Sequence, residues 1–177
     1  MQACLPAGLF ALFINPISYL KNMAKTNAIR ILESKGIAHT FVEYESSEDE
    51  IDALSVARKI NAEAEMVFKT LVTVNESNEH FVFVIPGPFE LNMKKAASAS
   101  GSKKIELIKV KDLLPLTGYI RGGCSPIGMK KQFPTFIDET AQLYEKIYFS
   151  AGIRGMQLYV SPADLAGVTG AEFADLT

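Results

Sequence analysis

The apolar and polar positions along this chain fall into a series of short elements. The run Lys25–Leu32, KTNAIRIL, has helical spacing, with Thr26 suited to cap the helix and Gly36 to close it. His39–Tyr44 alternates as a strand does, and Ala53–Ile60 reads as a short helix after an acidic loop. Met66–Val74, MVFKTLVTV, is a nearly continuous apolar and β-branched run, the pattern of a buried strand. Asn75–Glu79 turns the chain and His80–Ile85, HFVFVI, returns as its hairpin partner, ended by Pro86–Pro88.

Farther along, Asn92 is placed to cap a helix that runs to about Gly101. Lys104–Ile108 reads as a strand and Lys111–Leu116 as a helical turn. Thr135–Ile137 and Lys146–Ser150 are two more strands, and Ala151–Gly155 connects the latter by a hairpin to Met156–Val160. Ser161 caps a last helix with Pro162 at its first position. Short strands joined by hairpins, with helices interspersed, predict an α+β fold, a curved mixed sheet or partial barrel.

A length of 177 residues predicts one domain with a sizeable core. Residues 1–20 carry no charge, yet no cation precedes the apolar stretch and Pro6, Gly8, Asn15 and Pro16 interrupt it. Signal peptide and membrane span both fit poorly. The favoured reading makes Met23 the start, with residues 1–22 an extension and residues 23–177 the domain. Two cysteines and two histidines, with no CxxC or HxxxH spacing, predict no disulfide framework, no metal site and a reducing, cytoplasmic setting.

Net charge is −2, but it is unevenly spread. Glu43–Glu65 holds eight acids against two bases, whereas Glu90–Lys131 holds nine bases against three acids. A basic segment of that kind suits a polyanion such as nucleic acid. A solvated helix face with two ordinary loops explains the same pattern.

Two features carry candidate chemistry. Lys69 stands in the middle of an apolar strand, where burial disfavours the ammonium. Either it snorkels to water at a strand end, or it is a fixed cation in a cleft. Arg121–Lys131, RGGCSPIGMKK, is rich in glycine and in cations. It is no nucleophile elbow, since Ile127 stands where the last glycine would be. Neither His39 nor His80 offers a base to Ser125 or Cys124, because each falls in a predicted strand. Phosphate-binding glycine motifs are absent. If the chain is an enzyme, backbone donors and one cation carry its chemistry.

Five motifs in this order resemble the YbaK family of aminoacyl-tRNA deacylases, relatives of the editing domain of bacterial prolyl-tRNA synthetases. They are Phe68–Leu71, Leu91–Ala97, Thr117–Tyr119, Gly122–Gly128 and Ile147–Gly155. The resemblance spans about Lys25 to Leu176. It implies a mixed α/β domain around a distorted β-barrel, and hydrolysis of the ester joining a wrong amino acid to tRNA, most typically cysteine on the proline tRNA and, as a second target, on the cysteine tRNA. The family's essential lysine falls on Lys69. Its substrate contacts fall on Tyr44, Thr70, Gly122, Gly123, Ser125, Pro126, Gly128 and Ser150.

Some relatives have an acidic residue near Gln157. The implied mechanism uses amides around Gly122–Gly123 as an oxyanion hole, with attack by the substrate's own thiol. No cofactor is implied. Aminoacyl-tRNA is the expected partner, together with a prolyl-tRNA synthetase in a transient complex; no metal and no membrane attachment are expected. Three alternatives stay open: a catalytically inactive tRNA- or nucleotide-binding module, a deacylase for another small aminoacyl group such as alanyl, and a surface-associated protein.

Overall fold

The computed structural model describes residues 25–47 and 51–177. The reading of residues 1–22 and the acids Glu48, Asp49 and Glu50 lie outside them. Helix α1 (Asn27–Ser34) is capped by the Thr26 hydroxyl, which accepts from Ile29 N–H, and buries Ala28, Ile29 and Leu32. Strand β1 (Thr40–Glu43) and helix α2 (Ala53–Ile60) follow. α2 is capped by Asp52, whose carboxylate accepts from Ser55 N–H, and ends at Asn61 in the left-handed region. A short 3-10 turn, Ala64–Met66, leads into β2 (Phe68–Asn75), which forms a hairpin with β3 (His80–Pro86). Then come α3 (Met93–Ala99), capped by Asn92, β4 (Ile105–Leu107) and α4 (Val110–Thr117). The chain finishes with β5 (Thr135–Asp138), β6 (Ile147–Ser150), β7 (Met156–Val160), α5 (Pro162–Thr169) and β8 (Glu172–Ala174).

The strands make two sheets, not a closed barrel. One has the order β4-β2-β3-β5-β8 and the other β1-β7-β6. Among the described residues one isolated parallel bridge, Val67 to Tyr148, joins their backbones, and their inner faces share one core. Val67 is held from its other side as well: its N–H donates to Ala64 O at 3.2 Å and its carbonyl accepts from Gly87 N–H at 2.7 Å. The α+β class holds, with two sheets packed on one core and the barrel left open.

β3 lies between two cores, which accounts for the unbroken apolar run HFVFVI. Val82 and Val84 pack with Phe68, Val72, Phe149 and Leu158 on one side. Phe81, Phe83 and Ile85 pack with Phe136, Ala96 and Leu176 on the other. A third cluster, Val56, Ala57 and Val67, seats α2 against the start of β2. The pattern of the sequence missed β8 and the 3-10 turn Glu139–Leu143. β8 pairs parallel to β5 and is held by the buried carboxylate of Asp138, which accepts from Leu176 N–H at 3.1 Å.

Candidate active site

A cleft of ≈ 330 Å³ opens where the start of β2, the N-terminus of α2 and the glycine loop converge. That volume is at the lower end of the roughly 300–1,000 Å³ usual for small-molecule sites. Lys69 and Thr70 of β2 form one wall, Ile51 to Leu54 another, and Gly122 with Cys124 a third. Ser150 of β6 and Gln157 of β7 close the back.

Lys69 is half-buried and donates to Gly87 O at 3.0 Å. Burial lowers its pKa below that of an ordinary lysine, opposed by the negative charges of Glu90 and Asp52. The Gly87 contact is set by packing. A Cβ at Gly87 would lie 2.5 Å from Ala53 Cβ and 2.9 Å from Val67 O, so only glycine lets β3's end pass under α2. The ammonium is thus tethered at the cleft wall by the backbone next to it, with N–H donors to spare.

Two polar atoms of the wall are buried and accept no hydrogen bond among the described residues: Thr70 Oγ1 and Gln157 Oε1. Gln157 is 4% exposed, and its Nε2 donates to Tyr44 Oη at 3.3 Å, which fixes the amide and leaves the oxygen as an acceptor. Buried polar atoms without partners are uncommon, and the third among the described residues, Thr73 Oγ1, lies away from the cleft. The two in the wall suit the N–H or O–H groups of a polar ligand.

The glycine loop splits in two. Its first part makes a tight turn, in which Gly123 N–H donates to Ile120 O at 3.0 Å and Gly122 has φ 82. The expected oxyanion hole at Gly122–Gly123 therefore needs correcting, because the Gly123 amide is already spent. The amides of Gly122 and Cys124 donate to no acceptor among the described residues, and both residues line the cleft. The Cys124 thiol is buried, and burial pushes its pKa up to about 12 against a hydrogen bond to Thr117 that lowers it. A thiol held that high is a poor nucleophile at neutral pH.

The second part of the loop turns away. Ser125 is fully buried and its hydroxyl accepts from Ile127 N–H at 3.3 Å, a local turn bond. Tyr119 Oη donates to Ile127 O at 2.7 Å and Asn27 Nδ2 donates to Gly128 O at 2.9 Å. Pro126 and Gly128 line a separate depression against α1 and α5. Tyr44 reaches the cleft only through Gln157, its ring packing beside α2. Of the residues that the resemblance assigns to substrate, Lys69, Thr70, Gly122 and Ser150 thus line one cleft. Gly123 backs its wall, Tyr44 supports it, and Ser125, Pro126 and Gly128 lie outside it. The Ser150 hydroxyl accepts from Gly152 N–H at 3.2 Å, so it shapes the β6–β7 connection as well as the wall.

Asp52, Ile51 and Gly87 were not anticipated as wall residues. Asp52 could have been suspected as the helix cap it is. His39 bonds Ile37 O and the His80 ring lies tilted against Phe133, and neither residue lines the cleft. No cluster of three or more metal-ligating side chains occurs among the described residues, and no described helix is long and apolar enough to cross a membrane.

Residues 48–168 match the model of the aminoacyl-tRNA editing domain. An Enterococcus faecalis protein named as a candidate Cys-tRNA(Pro)/Cys-tRNA(Cys) deacylase, EbsC, is 50% identical over 89% of this chain and 96% of its own length. The proline–tRNA ligase of Brachyspira hyodysenteriae is 26% identical over 73% of this chain, which matches 22% of that larger enzyme. Among solved structures, a candidate trans-editing enzyme for prolyl-tRNA synthetase superposes with a TM-score of 0.75 at 26% identity, covering 88% of this chain and 99% of that one. With a domain model matched over most of its length and a half-identical relative covered from end to end, the chain belongs to the aminoacyl-tRNA editing domain family, the YbaK family.

Proposed function

We propose that this protein is a trans-editing deacylase that clears mischarged tRNA, with cysteine on the proline tRNA as its foremost substrate and cysteine on its own tRNA as a second. The observation that carries this reading is the 50% identity to EbsC across 96% of that protein. The cleft supports it, because it offers what ester cleavage of an aminoacyl group requires and lacks a protein nucleophile.

Gly122 and Cys124 amides stabilise charge on the ester carbonyl oxygen. Lys69, tethered at Gly87 O, supplies a cation to the same wall. Thr70 Oγ1 and Gln157 Oε1 accept hydrogen bonds from the bound aminoacyl end. The cysteinyl thiol then attacks its own carbonyl carbon. The carbon–oxygen bond to the ribose breaks, the thiol proton passes to the departing ribose oxygen, and a cyclic thiolactone leaves for hydrolysis by water. Positioning supplies much of the rate, since nucleophile and ester share one molecule. Choice of tRNA is supplied by a prolyl-tRNA synthetase in a transient complex, in the cytoplasm.

The test is a deacylation panel on cysteinyl-, alanyl-, seryl- and prolyl-tRNA with purified protein. Cysteinyl ester should be cleared fastest, and Lys69→Ala should slow it about 100-fold, the size typical of a lost charge-stabilising donor. Failure to accelerate loss of any of the four esters overturns the reading. Preferred clearance of alanyl ester replaces the substrate and removes the thiol mechanism.

A further inference from the structure

The glycine turn is held from outside by one side chain that no relative's name and no motif assigns to the chemistry. Arg154, in the β6–β7 connection, donates from Nε to the Arg121 carbonyl at 2.9 Å across 33 residues of sequence. That carbonyl belongs to the peptide whose nitrogen is the Gly122 amide. The guanidinium therefore grips the very unit that carries one of the two spare donors.

Packing shows how closely the parts are fitted. A Cβ on Gly122 would stand 2.9 Å from Ile51 Cβ and 3.3 Å from Arg154 Nε. On Gly123 it would stand 3.0 Å from Arg154 N and 3.1 Å from the Ile153 carbonyl carbon. Both glycines are thus required by neighbouring protein before any ligand is considered. The turn is wedged between Ile51 and the backbone of Ile153–Arg154, and the Arg154 side chain bonds its backbone from outside.

We propose that Arg154 is a positioning residue for the deacylation proposed above. Its bond to Arg121 O sets the Gly122 peptide plane and so aims the donors that meet the ester carbonyl. A bond to the carbonyl of a peptide also polarises its N–H, which strengthens the donor at Gly122. This inference rests on the deacylase reading for its kinetic arm and is independent of it for its structural arm.

In the kinetic arm, Arg154→Ala should lower kcat for cysteinyl-tRNA about 30-fold while KM changes little. Arg154→Lys should stay defective, because a lysine carries the charge but has no Nε–H at that distance. Ethylguanidine at a non-denaturing concentration should restore part of the Arg154→Ala rate. Losses from Arg154→Ala and Gly122→Ala should not add in the double variant, since both disturb one turn. A rise in KM with kcat intact, or near-normal turnover by Arg154→Lys, would make Arg154 a charge contact for the tRNA and overturn the proposal.

In the structural arm, amide NMR needs no activity and reads the turn directly. Arg154→Ala should shift the Gly122 and Cys124 amide signals and leave that of Gly128 in place. Unmoved Gly122 and Cys124 signals overturn the proposal even if the wild-type protein deacylates nothing. Inactivity of the wild type alone, with those signals shifted, counts against the deacylase reading and upholds the grip of Arg154 on the turn.

Discussion

Arg121–Cys124 and Ser125–Lys131 are consecutive parts of one loop, each with glycine and cations, yet they face different neighbours. In the first half the carbonyls of Ile120 and Arg121 are taken by Gly123 N–H and Arg154, and the amides of Gly122 and Cys124 are left over beside the cleft. In the second half Tyr119 and Asn27 hold the carbonyls of Ile127 and Gly128, while the amides of Ile127 and Lys130 donate to the Ser125 hydroxyl and the Thr117 carbonyl. Both halves contain glycine at positive φ, 82 at Gly122 and 77 at Gly128. Glycine-rich sequence therefore does not by itself mark a binding loop. What separates the halves is where they lie: Gly122 and Cys124 line the cleft that holds Lys69, and Pro126 and Gly128 line the depression against α1 and α5.

The sharpest way to break this comparison is to put the same methyl group into each half. Gly122→Ala should cut deacylation about 100-fold, as a misplacement of around 1 Å can. Gly128→Ala should leave the rate per folded molecule nearly unchanged. It should instead cost about 2 kcal/mol of stability through the left-handed backbone and the broken bond from Asn27. A Cβ there would meet Asn27 Nδ2 at 2.6 Å. Single-turnover rates paired with urea unfolding read both quantities, and equal kinetic damage from the two variants would erase the distinction.

A smaller effect sharpens the second half. Tyr119→Phe removes the buried bond to Ile127 O and should cost about 1 kcal/mol with activity retained. Denaturant melts and deacylation on the same preparation check it, and a lost rate with unchanged stability would move Tyr119 into the chemistry.

The smallest effect concerns the first half. Cys124→Ala keeps the backbone amide and should hold the rate within about threefold, under 1 kcal/mol of barrier. With its pKa pushed up to about 12, the thiol stays protonated through the neutral range, and its share of thiolate rises only as pH climbs toward that value. Site-resolved alkylation of the native protein near pH 7 should accordingly leave Cys124 unmodified. Rapid labelling, or a collapse of activity in the alanine variant, would return the cysteine to the list of nucleophiles.

Much of this molecule was legible along the chain. Ala53–Ile60 was read to the residue, and Asp52 and Asn61 prove to cap its two ends. Lys69 stood out because an apolar strand should not hold a lone cation. β8 was not legible, since three residues are too short for a pattern and its partner β5 pairs with it across more than thirty residues of sequence. The cleft was half legible. Lys69 and Gly122 carry signals of their own, whereas Asp52, Gln157 and Arg154 acquire their places only when the sheets come together. No spacing in the sequence connects Arg154 to Arg121.

The single bridge from Val67 to Tyr148 has a consequence for how this cleft can change over time. Lys69 and Thr70 sit on one sheet, Ser150 and Gln157 on the other, and almost no ladder ties the two registers together. A replacement at Gln157 can recast the back of the cleft without sliding β2 by a residue, which would turn Lys69 to the opposite face. The polar groups at the back of the cleft can therefore change on one sheet while the Lys69 ammonium keeps its place on the other.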